Sequence, residues 1–240
     1  MHKSPSSLSL RVLTYNIHHG EGTDECINLE RIAAVVKQAG ADIVCLQEVD
    51  RWMERSHGVD QTRVLAELCS LPYAVFAQNM ALSFPLSAGP SATGNAILSR
   101  YPIVNCMNTP LRPPRGILHA LVRVPLHAQR ITTCECASGA SASGSAVLPC
   151  SNNASFIVCG DFNDTPGSDT HAQLAKAMID TWIATHAESG ATHPSYKPER
   201  RIDYIWLPSV TCWTAAQSRT IDSPASDHCA VCCELVVKPM

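Results

Sequence analysis

Charged and aromatic residues are both scarce in this sequence of 240 residues. Asp, Glu, Lys and Arg together make up 16% of the chain, and Phe, Trp and Tyr make up 5%. The apolar fraction of 45% is close to the globular average, which excludes wholesale disorder. The formal net charge is −3, and no run of Lys or Arg stands out. Net charge therefore gives no support for non-specific nucleic-acid binding, which requires many cations against the phosphates.

Long apolar runs are missing as well. Arg11 interrupts the first apolar stretch after a few positions, so we expect no secretory signal segment. The uncharged stretch over residues 136–160 contains Ser, Gly, Asn and Pro149, which excludes a membrane helix. These observations predict a cytoplasmic protein without a transmembrane segment. In that compartment we expect the twelve cysteines to be thiols, several of them packed as small apolar residues.

Short apolar runs and three helical patterns organise the chain, and the last of the three lies over residues 171–178. Leu29–Ala39 has helical spacing and is followed by Gly40, a typical C-terminal cap. Residues 62–71 also have a helical pattern, and most of the other apolar runs are typical of strands that come in pairs. Such a pattern favours two sheets packed on each other with helices outside. We expect one domain over residues 8–240, preceded by a short flexible N-terminus over residues 1–7.

Polar residues follow, enter or directly precede five of the predicted strands, where a buried strand has no need of them. The five segments are Tyr15-Asn16-Ile17-His18-His19-Gly20, Gln47-Glu48-Val49-Asp50, Gly160-Asp161-Phe162-Asn163-Asp164, Arg201-Ile202-Asp203-Tyr204-Ile205 and Ser226-Asp227-His228. A buried charge is costly unless it is paired or bound to a metal. One such segment would be an ordinary satisfied polar group, whereas five together indicate a functional site.

The residue types in these segments share one chemistry. Carboxylate and amide oxygens are hard ligands, suited to Mg²⁺, Mn²⁺ or Ca²⁺. Asp161 and Asn163 are two positions apart, so at the end of a strand their side chains point the same way. His228, next to Asp227, supplies a titratable group that can stabilise the charge of a phosphate.

Six motifs in this order resemble those of the endonuclease/exonuclease/phosphatase superfamily, and they span nearly the whole chain. They lie at residues 15–20, 47–50, 94–103 (GNAILSRYPI), 160–164, 201–205 and 226–228. The resemblance implies an α/β fold of the α+β type, a four-layer α/β/β/α sandwich with two packed central mixed sheets. It also implies Mg²⁺-dependent hydrolysis of a phosphate ester, with Mn²⁺ as an alternative ion.

The resemblance implies a role for each residue of the motifs. Glu48 would be the principal metal ligand, with Asn16 and Asp227 close by. Asp161 would orient or deprotonate the attacking water, and Asn163 would bind a phosphate oxygen. His228, held by Asp203, would contact the phosphate. His18 and Arg115 are further candidates for binding the substrate. As alternatives, His18 could contact the metal ligands without binding the metal itself, and Arg115 could belong to a solvated loop.

One motif of the superfamily is missing from this chain. Relatives carry a strand that ends in Thr-His-Leu and is followed by a helix, whereas here the strand Ile131-Thr132-Thr133-Cys134-Glu135-Cys136 runs into a Ser/Gly-rich stretch. General acid catalysis contributes roughly 10²–10⁴ in rate, so its loss weakens an enzyme without abolishing its activity. A protonated Glu135 could replace the histidine, His119 or His127 could stand in for it, or the substrate could need no acid. The alternative is a degenerate member that binds a phosphorylated ligand with little turnover.

The substrate is not specified by these motifs. A phosphate ester is the expected partner, and the chain lacks an evident basic insertion of the kind that DNA-cleaving relatives use for the duplex backbone. Nucleic acid, a lipid headgroup and a small phosphoester are all left open. We expect a monomer.

Overall fold

The computed structural model describes residues 9–82, 91–111, 115–124, 127–135, 156–188 and 190–237. The predicted flexible N-terminus over residues 1–7 lies outside these ranges. The strands are β1 (Ser9–Asn16), β2 (Ile43–Arg51), β3 (Tyr73–Leu82), β4 (Ser91–Ser99), β5 (Ile103–Pro110), β6 (Gly116–Val124), β7 (His127–Glu135), β8 (Phe156–Asp161), β9 (Met178–Asp180), β10 (Asp203–Pro208), β11 (Trp213–Ile221) and β12 (Ala230–Val237). The helices are α1 (Leu29–Ala39), α2 (Gln61–Cys69), α3 (Asp169–Ala175) and α4 (Thr181–Thr185), with single 3-10 turns at His18–Gly20 and Glu54–Ser56.

The strands form two six-stranded mixed sheets. The first sheet has the order β11-β12-β1-β2-β4-β3 and the second has the order β5-β6-β7-β8-β10-β9. Each sheet contains one parallel pair at its centre, β1 with β2 and β7 with β8, and the other neighbours are antiparallel. The carboxyl ends of the central strands therefore lie at one edge of each sheet.

The two sheets pack face to face. The apolar core between them includes Val12 and Cys45 from the first sheet and Leu118, Ile157 and Cys159 from the second. These side chains are almost fully buried. Because the central strands are covered on both faces, their sequences are short and nearly continuous apolar runs. Nine cysteines of the described residues are free thiols, and five of them are buried.

Helices cover the outer faces of both sheets. The apolar face of α1, with Ile32 and Val36, packs on the first sheet beside α2, and Gly40 ends α1 in the left-handed conformation with a φ of 62°. On the second sheet, Leu174 of α3 packs against Phe156 and Trp206. The expected four-layer α/β/β/α sandwich is thus confirmed. None of the helices in the described ranges has the length and apolar character needed to span a membrane.

Candidate active site

The polar segments identified in the sequence meet at one edge of the sandwich. They come from the ends of strands in both sheets, or from the residues just before a strand. From the first sheet come Asn16 at the end of β1, Glu48 in β2, and Asp227 and His228 just before β12; from the second come Asp161 at the end of β8 and Asp203 at the start of β10. The face-to-face packing therefore gathers side chains that lie far apart in the sequence.

Glu48 sits in a β-bulge of β2. The pairing of β2 with β4 shifts register between Leu46 and Val49, and Glu48 has a φ of 55°. A bulge bends its strand and aims a side chain in a new direction, and non-glycine residues with positive φ are concentrated at functional sites. The bulge turns the half-buried Glu48 toward the end of β1, where its carboxylate accepts a hydrogen bond from Asn16.

Asn16 links the two sheets through its amide group. Its Nδ2 donates to Glu48 Oε1 at 3.0 Å and to Asp161 Oδ2 at 3.1 Å, while its Oδ1 accepts from the backbone N–H of His18 at 3.0 Å. Asn16 is fully buried. The amide nitrogen, rather than the oxygen expected of a metal ligand, faces both carboxylates. In this arrangement Asn16 holds Glu48 and Asp161 beside each other.

Asp161 and Asn163 form a tight turn directly after β8. The backbone N–H of Asn163 donates to Asp161 Oδ1 at 2.8 Å, and Asn163 Nδ2 lies 3.2 Å from Asp161 Oδ2. Asn163 has a φ of 52°, which turns its side chain back over the end of the strand. Burial, together with the nearby charge of Asp203, raises the pKa of Asp161 to about 7. A carboxyl group in this state can take up a proton near neutral pH.

His228 lies between two buried carboxylates. Its Nδ1 is 2.9 Å from Asp203 Oδ2, and its Nε2 is 3.8 Å from Asp161 Oδ2. Burial lowers the pKa of the imidazole, but the charge and hydrogen bond of Asp203 outweigh that effect and raise it to about 10. The ring is therefore a cation at neutral pH, with Nδ1 held and Nε2 directed to Asp161.

A loop before β10 fixes the Asp227–His228 segment and contributes His193, which the sequence did not single out. The Ser195 backbone N–H donates to the Asp227 carbonyl at 2.7 Å, and the Ser195 hydroxyl donates to the Ser226 carbonyl at 2.6 Å. His193 Nε2 lies 3.7 Å from Asp227 Oδ2, and the His193 ring is 4.8 Å from the His228 ring. An isolated histidine in an irregular loop carries no sequence signal.

The remaining predicted site residues have different positions. His18 Nδ1 lies 3.9 Å from Asp227 Oδ1, so His18 borders the group just described. Arg115 lies directly before β6, and its role in substrate binding stays a prediction. Glu135 pairs with Asp161 in the register of β7 and β8. The end of β7, the strand that lacks the Thr-His-Leu motif, therefore lies beside the site. The side chain of Glu135 is outside the part of the chain that the structure describes.

The donors at this edge fit a divalent cation. Glu48 and Asp227 are both only partly buried, so their oxygen atoms can be reached from solvent. Three groups of His, Asp and Glu side chains among the described residues have ligand atoms within 4.8 Å of one another: His18, His19 and Glu48; His193, Asp227 and His228; and Asp161, Asp203 and His228. Carboxylate oxygens suit Mg²⁺ and Mn²⁺, whereas imidazole nitrogens suit later transition ions such as Zn²⁺.

Comparison with known proteins gives consistent matches along the whole chain. The chain is 28% identical to the uncharacterized protein YbhP of Escherichia coli K12 over 255 residues, covering 95% of this chain and 96% of YbhP. The structure of an endonuclease/exonuclease/phosphatase from Beutenbergia cavernae superposes with a TM-score of 0.78 and 25% identity, covering 95% of this chain and 72% of that one. The Bacteroides thetaiotaomicron mannosyl-6-phosphatase Bt3783 shares the fold, with a TM-score of 0.68, 17% identity, and coverage of 95% and 99%.

The family match extends over the segments that build the site. Residues 13–228 match the Endonuclease/Exonuclease/phosphatase family, a range that begins in β1 and ends at His228. Members of that family are in general phosphoester hydrolases that depend on a divalent metal. By this match, this chain belongs to the Endonuclease/Exonuclease/phosphatase family.

Proposed function

We propose that the protein hydrolyses a phosphate ester with the help of Mg²⁺, for which Mn²⁺ can substitute, and that water attacks the phosphorus. One observation carries this proposal. An unbroken line of contacts runs from Glu48 through Asn16, Asp161 and His228 to Asp203. Glu48 is the carboxylate best placed to bind a metal. The line of contacts connects it with the carboxylate of Asp161, which can act on water, and with the imidazolium of His228, which can act on phosphate.

Glu48 and Asp227 would hold the ion, and Asn16 would keep Glu48 in place. A bound divalent cation supplies positive charge against the phosphate oxygens. Both carboxylates are partly exposed, whereas Asp161 and Asp203 are almost fully buried. The exposed pair therefore suits an exchangeable ion and substrate, and the buried pair suits fixed positioning of the reacting groups.

Asp161 is proposed to orient the attacking water and to accept its proton. The carboxylate is fixed by three donors, from Asn16 and from the backbone and side chain of Asn163, so it is in position before the substrate binds. Fixed geometry of this kind lowers the entropic cost of reaction. The amide of Asn163, at the mouth of the same turn, is proposed to donate to a phosphate oxygen when substrate is present.

His228 is proposed to stabilise the negative charge that develops on the phosphate. Asp203 holds Nδ1 and keeps the ring cationic, which leaves the Nε2 proton for a phosphate oxygen. His18 and Arg115 are proposed as additional contacts to the substrate. The acidic net charge favours a small phosphate ester over a nucleic-acid duplex as that substrate.

Hydrolysis of bis-p-nitrophenyl phosphate and of plasmid DNA, with Mg²⁺, Mn²⁺ or EDTA, tests the proposal. The aryl ester has a good leaving group and does not need the acid of the missing motif. We expect metal-dependent turnover that falls by about 10² or more in Glu48→Gln and by about 10²–10⁴ in Asp161→Asn. Glu67→Gln, at an exposed position on α2, is the matched control and should keep wild-type activity.

Turnover of the aryl ester without nicking of the plasmid would support a small substrate, and nicking as well would indicate a nuclease. If the wild-type protein binds Mn²⁺ in calorimetry but turns over neither substrate, the hydrolase proposal is wrong. The chain would then be a family member that binds a phosphorylated ligand.

A further inference from the structure

Two adjacent histidines follow β1 and lie close to the carboxylate of Glu48. His18 and His19 lie in a 3-10 turn, and one ring nitrogen of each is within 4.8 Å of the other and of a carboxylate oxygen of Glu48. Both histidines have a φ of 44°, in the left-handed region that ordinary residues avoid. This unusual backbone brings two consecutive imidazoles together, with their centroids 4.4 Å apart.

Each of the two rings has a carboxylate beside one of its nitrogens. His18 Nδ1 is 3.9 Å from Asp227 Oδ1, and His19 Nε2 is 3.5 Å from Glu21 Oε2. Metal-binding histidines characteristically turn their other ring nitrogen to a carboxylate or carbonyl, which fixes the tautomer and orients the ring. The arrangement leaves the second nitrogen of each ring for a ligand.

His19 provides an independent sign of a missing partner. The residue is only 7% exposed, yet its Nδ1 is buried and has no hydrogen-bond partner among the described residues. Buried polar atoms are nearly always satisfied. The backbone around the ring is well fixed, because the Gln61 side chain donates to the His19 carbonyl at 2.6 Å. An ion bound at Nδ1 would give this nitrogen the partner that it lacks.

We propose that His18, His19 and Glu48 form a site for a first-row divalent transition ion such as Co²⁺ or Zn²⁺. Two imidazoles and one carboxylate leave open coordination positions, and imidazole favours these ions over Mg²⁺. Glu48 is shared with the magnesium site of the proposed function, and the inference rests on that function only through this residue. When this site is occupied, His18 and His19 both bind the ion, and His18 then acts as a metal ligand in place of the substrate contact of the proposed function.

Titration of the EDTA-treated, full-length protein with CoCl₂ in excess MgCl₂ tests this site. The visible absorption of Co²⁺ reports the coordination number and ligand field of the bound ion, and it does not depend on catalysis. We expect absorption bands of bound Co²⁺ that persist in Mg²⁺ and disappear when ZnCl₂ is added. His18→Asn and His19→Asn should each weaken Co²⁺ binding by about 100-fold or more, because loss of an outer partner alone costs about 10–100-fold.

His57→Asn is the matched control. His57 is exposed and also has a positive φ of 64°, a conformation that Asn tolerates, so the control tests the same kind of substitution in the same left-handed region of the backbone. We expect wild-type Co²⁺ binding in this variant. Circular dichroism in EDTA checks folding, and if His19→Asn is unfolded, the result for the half-buried His18→Asn decides.

Wild-type Co²⁺ affinity and spectrum in a folded His18→Asn variant would overturn the proposal, and so would the absence of Co²⁺ absorption in the wild type. These failures are distinct from failure of the hydrolase proposal, which is measured by Mg²⁺-dependent turnover. Hydrolysis without Co²⁺ absorption would reject the histidine site alone. Co²⁺ binding without hydrolysis under any metal would support the site and reject the proposed function.

Discussion

Replacing Asn16 by Asp should make the stability of this protein depend on a divalent ion. The substitution keeps the size of the side chain but places an anion where the amide nitrogen now lies 3.0 Å from Glu48 Oε1 and 3.1 Å from Asp161 Oδ2. Two unit charges at such a separation repel by about 5 kcal/mol at an effective dielectric constant of about 20. Protonation of the new Asp at neutral pH relieves this repulsion and costs about 4 kcal/mol, since its ordinary pKa is about 3.9.

The new Asp side chain either stays charged and is repelled or takes up a proton, and the response that costs less free energy determines the loss of stability. We therefore expect Asn16→Asp to lower the free energy of unfolding by about 3–4 kcal/mol in EDTA. For a chain of this size, each kcal/mol changes the Tm by about 2–4 °C, which gives a fall of about 10 °C. Excess Mg²⁺ or Mn²⁺ should restore most of the loss, because a cation offsets the repulsion among the three carboxylates.

Differential scanning calorimetry with EDTA and with MgCl₂ measures both effects. Asn28→Asp is the matched control, because Asn28 caps α1 by accepting from the backbone of Arg31 at 3.0 Å, and Asp caps a helix equally well. If Asn16→Asp and Asn28→Asp have the same Tm in EDTA, the Asn16 amide does not donate to the two carboxylates and the bridge between the sheets is refuted.

Three further predictions concern other parts of the structure. Gly94→Ala should lower the free energy of unfolding in urea by about 3 kcal/mol or more, because the added Cβ would collide with the Ala77 carbonyl of the neighbouring strand; a loss below about 1 kcal/mol would contradict the packing. In metal-free protein, NMR should show His228 protonated until the pH nears its raised pKa of about 10, and Asp203→Asn should lower that pKa markedly. The pKa of His228 is higher in the folded state than its unfolded value of about 6.5. The His228–Asp203 pair therefore stabilises the fold fully below about pH 6.5, and its contribution is lost as the pH rises toward 10. Ser168→Ala removes the cap of α3 and should cost about 1 kcal/mol in thermal unfolding, whereas Ser168→Asp should cost almost nothing.

The sequence predicts the central strands and the residues at their ends well, for a local reason. A strand buried on both faces is a continuous apolar run, and a polar residue at its end stands out against that run. Asp161 at the end of β8 and Glu48 near the end of β2 are such residues, and the structure places both at the same edge. The helix α1 was equally predictable, since its apolar spacing and its glycine cap are both encoded within a dozen residues.

Other features depend on contacts between distant parts of the chain. β11 is an edge strand in which only Trp213, Ser218 and Ile221 are buried, and it has a bulge between Ala215 and Gln217. Its sequence therefore lacks the continuous apolar run of a central strand. The direction of the Asn16 amide is set by Asp161, which is 145 residues away. His193 reaches the site only because Ser195, in the same loop, donates hydrogen bonds to the backbone carbonyls of Ser226 and Asp227. None of these relations leaves a local pattern in the sequence.

The scarcity of aromatic residues makes their placement informative. Asp161 and Asp203 are directly paired across β8 and β10, and the residues that follow them, Phe162 and Tyr204, turn to the outer face of the second sheet. There the two rings contact edge to face, with centroids 5.5 Å apart. Successive side chains lie on opposite faces of a sheet, so each acid that points to the site is followed by a buried aromatic ring that packs on the outer face. Packing on a rigid, apolar face holds the carboxylates in position without help from a ligand, which is the condition that a preorganised hydrolytic site requires.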